Sequence, residues 1–313
     1  NTGPDVRSMK EKISDFNRTF FRNTPLEVTS SFLDAGNQVV LLSGFPSKAS
    51  AMEYRHVGRS GLVVSAIGVG CFAFGGYVQQ GDVQAVVDQA LDLGINYFDT
   101  ANSYGIGKSE DALGQALHGA KRQQALIATK FGNRTGDGPK EVGISRMALI
   151  AACEASLRRL RTDHIDLYQV HWPDRQTPID ETLRALDDLV RAGKVRYIGA
   201  SNFHAWELCE AHFMADKFGL SKFISTQDHY NLLYRDIERR FEPFCVKYGI
   251  GMTHYFPLAA GMLSGIHRRG EIAPGTRQAY ESLWRKWIGP GVGKLPAVDV
   301  AAYHYADLWE QMQ

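Results

Sequence analysis

Residues 165–201 read IDLYQVHWPDRQTPIDETLRALDDLVRAGKVRYIGAS and contain one complete unit of the pattern that predicts the fold. The run at 165–171 is short and mostly apolar, as in a buried strand. The run at 179–192 has apolar residues three and four positions apart, as in an amphipathic helix. Gly193 follows, where a helix end favours a left-handed residue, and 195–201 is again strand-like. Two strands joined by a helix predict parallel pairing within one sheet.

The same alternation of strand and helix extends over most of the chain. A predicted hairpin comes first, with strand-like runs at 53–57 and 62–65 around a turn at 58–61. Further strands are predicted at 67–70, 96–99, 126–130, 223–228 and 250–255, and further helices at 83–93, 109–118, 145–160, 206–218 and 237–248. No Gly-x-Gly-x-x-Gly turn accompanies them. We therefore predict an α/β fold, a (β/α)8 TIM-type barrel and not a dinucleotide-binding open sheet.

The composition excludes several classes of protein. The 313 residues include 35 Lys and Arg against 34 Asp and Glu, and 44% are hydrophobic, which is typical of a globular protein and not of a disordered or collagen-like chain. No basic stripe exists that would neutralise a phosphate backbone, so we expect no nucleic-acid partner. The longest apolar runs, such as 39–42, are far shorter than the roughly 20 residues of a membrane helix, so we expect no membrane insertion.

The cysteines and the first residues indicate a compartment. Four cysteines are too widely separated for a disulfide framework or a Cys-x-x-Cys metal site. The first residues lack the basic and apolar regions of a secretory signal. We therefore expect a cytoplasmic protein.

Two stretches depart from the repeating pattern. Residues 1–50, with a helix-like run at 6–21 and a strand-like run at 38–42, are interpreted as an N-terminal extension of unknown role, and 51–313 as the barrel domain. Residues 266–300 are rich in Gly, Pro and Arg, and 300–313 is helix-like. We expect the eighth strand and helix to be absent from their usual place at the C-terminus.

Four polar residues lie at or just beyond the ends of predicted strands, where a barrel carries its active site. Asp99 ends the second strand and Tyr104 follows it, Lys130 ends the third, and His171 ends the fourth. A tyrosine hydroxyl, whose pKa is near 10, is a better proton donor at neutral pH when a neighbouring ammonium group lowers that pKa. Lys130 is the candidate ammonium, with Asp99 as its counter-ion, and His171 supplies a second hydrogen bond at the reacting oxygen. Each alone also fits a structural role; together they predict proton delivery to a carbonyl group.

Several motifs in the same order resemble those of the aldo-keto reductases. They are FDTANSYG at 98–105, TK at 129–130, VHWP at 170–173, GASNF at 199–203 and YFPLAAG at 255–261. The resemblance covers about residues 52–277 and is strongest to the branch that includes potassium-channel beta subunits and bacterial aldehyde and sugar reductases.

The resemblance implies a role for each matching residue. Tyr104 matches the proton donor, Asp99 and Lys130 the pair that tunes it, and His171 the residue that orients the carbonyl group. For the cofactor, the matching positions are Ser201, Asn202 and Gln227 at the nicotinamide carboxamide, Tyr255 under the nicotinamide ring, and Pro257, Leu258, Gly261, Leu263 and Gly265 along the pyrophosphate. The implied cofactor is NADPH, with NADH as the less common choice, and no metal is implied. A structural interpretation also exists, in which Ser201 and Asn202 cap the next helix and the glycines are loop residues.

Two departures from the family pattern bear on function. Ser264-Gly265 is followed by Ile266 where this branch usually has a lysine, so one phosphate contact is expected to be lost. The segment that binds the adenosine 2′-phosphate has no match up to Gln313. Three interpretations stay open: a C-terminal part lost from the chain, a truncated relative with impaired cofactor binding, or an N-terminal strand at 38–44 that fills the eighth position.

Two functions follow from these observations. The first is a nicotinamide-dependent oxidoreductase acting on a small-molecule aldehyde or ketone, or on the corresponding alcohol. The second is a cofactor-impaired barrel that acts as a binding or regulatory subunit, with a protein partner or a homo-oligomer. In the first case, we expect an aromatic mouth at the active site made of Phe74, Tyr77, Trp172 and Phe256.

Overall fold

The computed structural model describes residues 27–33, 37–43, 52–231 and 234–259. Its strands are β1 Glu27–Leu33, β2 Asn37–Ser43, β3 Tyr54–His56, β4 Val63–Ser65, β5 Gly68–Gly70, β6 Tyr97–Asp99, β7 Leu126–Phe131, β8 Ile165–Val170, β9 Val195–Ser201, β10 Phe223–His229 and β11 Gly251–Tyr255. Its α-helices are α1 Gln80–Asp92, α2 Lys108–Ala116, α3 Arg146–Leu160, α4 Ile179–Arg191, α5 Ala205–Phe218 and α6 Ile237–Tyr248.

Seven parallel strands form the main sheet. They pair in chain order from β5 to β11, and an α-helix lies between each strand and the next. The strand–helix–strand unit predicted at 165–201 is observed, because β8 pairs in parallel with β9 and Ile165 lies opposite Val195. The sheet is curled and carries its helices outside, so the predicted TIM-type α/β fold is confirmed.

Helix α4 shows why these segments are helical. Its apolar residues recur on one face, and Leu183, Leu186 and Leu189 are buried against the barrel. Acidic residues lie in its first turn and a basic residue in its last, which complements the helix dipole. Gly193, just beyond its end, has a φ of 73°, so the left-handed position predicted there is confirmed.

A short antiparallel hairpin, β3 and β4, closes the end of the barrel at which the strands begin. Val57, Leu62 and Val64 pack on Tyr97 and on other residues inside the barrel. The turn of this hairpin packs closely on the sheet, because a Cβ on Gly58 would lie 2.3 Å from the carbonyl oxygen of Gly249. The opposite end of the barrel, at which the strands end, is therefore open for the candidate active site.

The predicted N-terminal strand takes a different place from the one expected. Residues 37–43 pair antiparallel with 27–33, from Glu27 opposite Ser43 to Leu33 opposite Asn37. Within the described residues these two strands form a separate sheet, so the interpretation of 38–44 as the eighth barrel strand is wrong. An adjacent hairpin partner satisfies the backbone groups of this strand locally.

Several expectations lie outside the described residues. They are the helix-like runs at 6–21 and 300–313, the residues from 260 onward, and the boundary at residue 50. The division into an extension and a barrel domain therefore stays a prediction. Within the part of the chain that is described, no helix has the length and apolar character needed to cross a bilayer.

Candidate active site

The predicted site residues that the structure describes lie along one rim of the barrel. Because β5 to β11 are parallel, their C-terminal ends meet at this rim. The residues at or just beyond these ends are Asp99 of β6, Lys130 of β7, His171 after β8, Ser201 and Asn202 of β9 and its loop, Gln227 of β10, and Tyr255 of β11.

Lys130 is the centre of the site. Its side chain is wholly buried, and its ammonium group forms an ion pair with the Oδ1 atom of Asp99. The same nitrogen donates to the carbonyl oxygen of Thr100 at 3.0 Å and to the hydroxyl of Tyr104 at 3.4 Å. Three predicted residues are therefore in direct contact, although Tyr104 belongs to a loop and the other two to different strands.

The pKa values of this group differ in part from the expectation. Burial lowers the pKa of Lys130, but the charge of Asp99 and the contact with Tyr104 outweigh it, so the pKa lies above its ordinary value. Burial raises the pKa of Tyr104, and the opposing effect of Lys130 only partly offsets it. The expected net lowering of the Tyr104 pKa is therefore wrong, because desolvation of the tyrosinate outweighs the attraction of the ammonium group.

His171 lies beside Tyr104 on the rim. The two rings are 5.8 Å apart at an angle of 79°, an edge-to-face arrangement. Burial, and then the nearby charge of Lys130, lowers the pKa of His171 to about 3. The imidazole is therefore neutral at neutral pH. Its Nδ1 atom lies 3.1 Å from the amide nitrogen of Asn133.

Two glutamines hold the second oxygen of Asp99. Gln169 and Gln227 donate to Oδ2 at 3.2 and 2.8 Å. Gln227, expected at a cofactor amide, is thus also a partner of Asp99. Gln169 was missed, although it precedes His171 by two positions on a strand and so lies on the same face of the sheet.

The side chains expected at the nicotinamide form one chain of hydrogen bonds. Ser201 Oγ donates to the carbonyl oxygen of Gln227 at 2.8 Å, and Asn202 Nδ2 donates to Ser201 Oγ and to the carbonyl oxygen of His171, both at 3.0 Å. The hydroxyl of Tyr255 donates to Asn202 Oδ1 at 2.8 Å. Four strand ends are thereby joined along one wall of the site.

The alternative role of Ser201 and Asn202 as helix caps is wrong. Helix α5 begins at Ala205, and His204 is its N-cap residue. The backbone N–H of His204 donates to the carboxylate of Glu207 at 2.9 Å.

The predicted pyrophosphate loop is described only at its start. Phe256 has a φ of 55° and begins a tight turn in which the backbone N–H of Ala259 donates to its carbonyl oxygen at 2.9 Å. Pro257 and Leu258 lie within this turn. Gly261, Leu263, Gly265 and Ile266 lie outside the described residues.

The four aromatic residues expected at the mouth differ in exposure. Tyr77, Trp172 and Phe256 are exposed, and Trp172 lines an open cleft, but Phe74 is 3% exposed and belongs to the core. Phe72 takes its place at the site, since it is 57% exposed and its ring meets Tyr104 edge to face at 5.1 Å. Sequence alone could not choose between the two phenylalanines, because they are two positions apart in a loop.

An open cleft of about 800 Å³ lies beside the site, between the loops that follow β7 and β8. Its lining includes Gly132, Trp172, Arg175 and Asn202. Among the described residues, no three His, Cys, Asp or Glu side chains are grouped so that they could hold a metal ion. The titratable groups brought together at this rim are a lysine–carboxylate pair, a tyrosine hydroxyl and a neutral imidazole.

Comparison with known proteins gives the family and several relatives of this chain. The model of the Aldo/keto reductase family matches residues 66–294. The chain is 41% identical over 224 residues to the uncharacterized oxidoreductase YrpG of Bacillus subtilis, covering 68% of this chain and 69% of that one. It is 36% identical over 235 residues to a probable voltage-gated potassium channel subunit beta of Arabidopsis thaliana, covering 74% and 71%. It is 39% identical over 248 residues to the aldo-keto reductase AMT2 of Alternaria alternata, covering 69% and 68%.

Proposed function

The chain belongs to the aldo/keto reductase family, and on this premise we propose that it is an NADPH-dependent oxidoreductase that reduces an aldehyde or ketone to the alcohol. The observation that carries the proposal is the position of the Lys130 ammonium group between the carboxylate of Asp99 and the hydroxyl of Tyr104. The reverse reaction, oxidation of the alcohol, uses the same residues.

Each residue of this group has a distinct task in the proposed reaction. Tyr104 carries its proton at neutral pH, since its pKa is raised above the ordinary tyrosine value near 10, and it delivers that proton to the carbonyl oxygen. The Lys130 ammonium group stabilises the tyrosinate that forms, at a site where little water screens the charges. Asp99 keeps Lys130 charged, and its two glutamine partners hold the carboxylate in place. His171 donates a hydrogen bond to the same carbonyl oxygen.

The residues along the wall of the site fit a nicotinamide cofactor. The amide oxygen of Gln169 is buried and has no hydrogen-bond partner among the described residues, so an acceptor is left for an N–H group. Ser201, Asn202 and Gln227 would hold the carboxamide, and the half-buried ring of Tyr255 offers a stacking surface. When bound, the cofactor supplies the hydride, and the protein supplies orientation and the proton.

The surroundings of the site support a class of substrate. Phe72 and Trp172 expose large aromatic surfaces beside Tyr104 and the open cleft. Such surfaces favour apolar or ring-bearing carbonyl compounds. The four cysteines all carry free thiols, which supports the proposal of a cytoplasmic enzyme.

The Tyr104→Phe variant tests the proposed proton donor. With NADPH and para-nitrobenzaldehyde as a carbonyl probe, we expect kcat to fall by about a hundredfold to ten-thousandfold, because a general acid contributes that much. Tyr54→Phe is the matched control, since the hydroxyl of Tyr54 donates to the carbonyl oxygen of Gly94, at the end of the barrel where the strands begin. Full turnover by the Tyr104 variant would refute the assignment.

A titration tests the cofactor separately from turnover. NADPH and NADH are added to the purified chain while protein fluorescence and cofactor emission are followed. Tighter binding of NADPH than of NADH is expected. Failure of both to bind would overturn the proposal that this chain forms a complete nicotinamide site.

A second candidate function is favoured by one of the relatives. The similarity to a probable potassium channel subunit beta supports a role as a binding or regulatory subunit with a protein partner. A stable complex with a partner protein, together with the absence of turnover for any carbonyl probe, would favour this candidate over the first. Turnover that depends on Tyr104 would favour the enzyme.

A further inference from the structure

We propose that Asn133 is a positioning residue that holds His171 in the tautomer protonated at Nε2. The inference about the tautomer is independent of the reaction. Its consequence, a hydrogen bond from Nε2–H to the carbonyl oxygen, rests on the proposed function.

The contact between the two side chains determines which ring nitrogen carries the proton. The amide nitrogen of Asn133 lies 3.1 Å from Nδ1 of His171. An amide nitrogen can only donate, so Nδ1 has to accept and therefore carries no proton. A neutral imidazole has one ring proton, which is then on Nε2.

The environment keeps the ring neutral and leaves Nε2 available. His171 is 9% exposed, and both burial and the charge of Lys130 oppose a second ring proton. The ring of Tyr104 meets the imidazole edge to face, and its hydroxyl, whose pKa is raised above the ordinary value near 10, is uncharged at neutral pH. Nε2 makes no hydrogen bond to any described residue, so its proton is free for a ligand.

The backbone fixes both partners of this contact. The N–H of His171 donates to the carbonyl oxygen of Phe131 at 2.9 Å, which continues the pairing of β7 and β8 beyond the strand ends. Asn133 lies two residues after Phe131. The loop that carries it is closed by a hydrogen bond of 2.9 Å from the N–H of Gly143 to the carbonyl oxygen of Gly132. Because the backbone is hydrogen-bonded near both residues, the Asn133–His171 contact is held in one geometry and can favour one tautomer of the His171 ring.

Two variants of nearly equal size separate a tautomer effect from a packing effect. Asn133→Asp replaces the donor with an acceptor, so Nδ1 is expected to take the proton and Nε2 to lose it. Asn133→Leu removes the donor without adding an acceptor, so both tautomers become accessible. With NADPH and para-nitrobenzaldehyde, we expect kcat to fall by about a hundredfold to a thousandfold in the Asp variant, as for loss of one oxyanion donor, and by less in the Leu variant.

The decisive readout is heteronuclear NMR of the histidine ring nitrogens in isotope-labelled full-length chain. The chain has ten histidines, and the spectrum of a His171→Gln variant identifies the signal of His171. The proposal is supported if His171 is protonated at Nε2 and not at Nδ1 in the unaltered chain, and if it is protonated at Nδ1 and not at Nε2 in Asn133→Asp. A protonated Nδ1 in the unaltered chain, or an unchanged tautomer in Asn133→Asp, would overturn it.

Turnover and tautomer together distinguish the two proposals. If the tautomer reverses as expected but kcat is unchanged, the Asn133 inference stands, and the role of His171 in the proposed function is wrong. If kcat falls equally in the Asp and Leu variants and the tautomer stays constant, Asn133 has a packing role and the inference is overturned. Thermal unfolding of both variants shows that they are folded.

Discussion

Replacing Asp99 by Asn is expected to leave the buried charge of Lys130 without its counter-ion. Breaking a buried ion pair by removing one partner costs about 3–5 kcal/mol, because the remaining charge stays desolvated. The Lys130 side chain is 0% exposed and that of Asp99 is 15% exposed, so the pair belongs to the buried class. The carbonyl oxygen of Thr100 still accepts from Lys130 in the variant, and Asn can accept one further bond. We therefore expect the low end of the range, about 3 kcal/mol.

The pH dependence of this loss identifies its cause. In the unaltered chain the folded pKa of Lys130 is raised. The contribution of its charged form to the free energy of unfolding is therefore fully present below the unfolded pKa of about 10.4 and is lost as pH rises through the folded pKa. In Asp99→Asn, burial without a counter-ion lowers the folded pKa below the unfolded one. The unfolded chain then binds more protons, so the stability of the variant rises with pH. The difference between the two proteins is expected to narrow from neutral pH toward about pH 10.

Urea unfolding of three variants measures the effect. The double variant Asp99→Asn with Lys130→Met removes both charges and is expected to recover roughly 1–3 kcal/mol of the loss. Asp216→Asn is the exposed control, since Asp216 pairs with Lys222 at 2.5 Å with a 63% exposed side chain, and should cost no more than about 1 kcal/mol. A loss below about 1 kcal/mol in Asp99→Asn, or a double variant no more stable than the single one, would refute the reasoning.

Two further predictions concern packing and a buried acid. A Cβ on Gly114 would lie 2.4 Å from the carbonyl oxygen of Arg159, so Gly114→Ala should lower the free energy of unfolding in urea by about 1–3 kcal/mol. A Cβ on Gly81 would have no atom within 4 Å, so Gly81→Ala should raise the free energy of unfolding by about 0.5–1 kcal/mol. Equal effects of the two variants would contradict the clash at Gly114. Burial raises the pKa of Asp228 to about 6, so the contribution of its protonated form to the free energy of unfolding is complete below the unfolded pKa of about 3.8. That contribution is lost as pH rises through 6. Asp228→Asn should therefore be more stable than the unaltered chain by roughly 1–3 kcal/mol at pH 8 and equally stable near pH 3, and a gain that is the same at both pH values would exclude burial as the cause.

Local pattern was sufficient for most of the fold. The helix expected at 179–192 is observed as Ile179–Arg191, and the strand expected at 195–201 is observed as Val195–Ser201. Periodicity, turn residues and helix ends act over a few neighbouring residues, so they are visible along the chain. The pairing of 37–43 with 27–33 was not visible, because a strand pattern does not specify which edge the strand joins.

The candidate site divides in the same way. Asp99, Tyr104, Lys130 and His171 could be selected from the chain, because each lies at or just beyond the end of a predicted strand and parallel strands bring their ends together. The partners of these residues could not be selected. Asn133, Gln169 and Phe72 act through contacts with residues at least 32 positions away, which no local pattern records.

The pKa of Tyr104 gives the physical reason for this division. The types of residue around the tyrosine were readable from the chain, and they predicted that an ammonium group would lower its pKa. Its actual direction depends on two competing effects, the attraction of Lys130 and the loss of hydration. Residue types state which charges are present, but burial and distance decide which effect is larger, and both are properties of the folded chain alone.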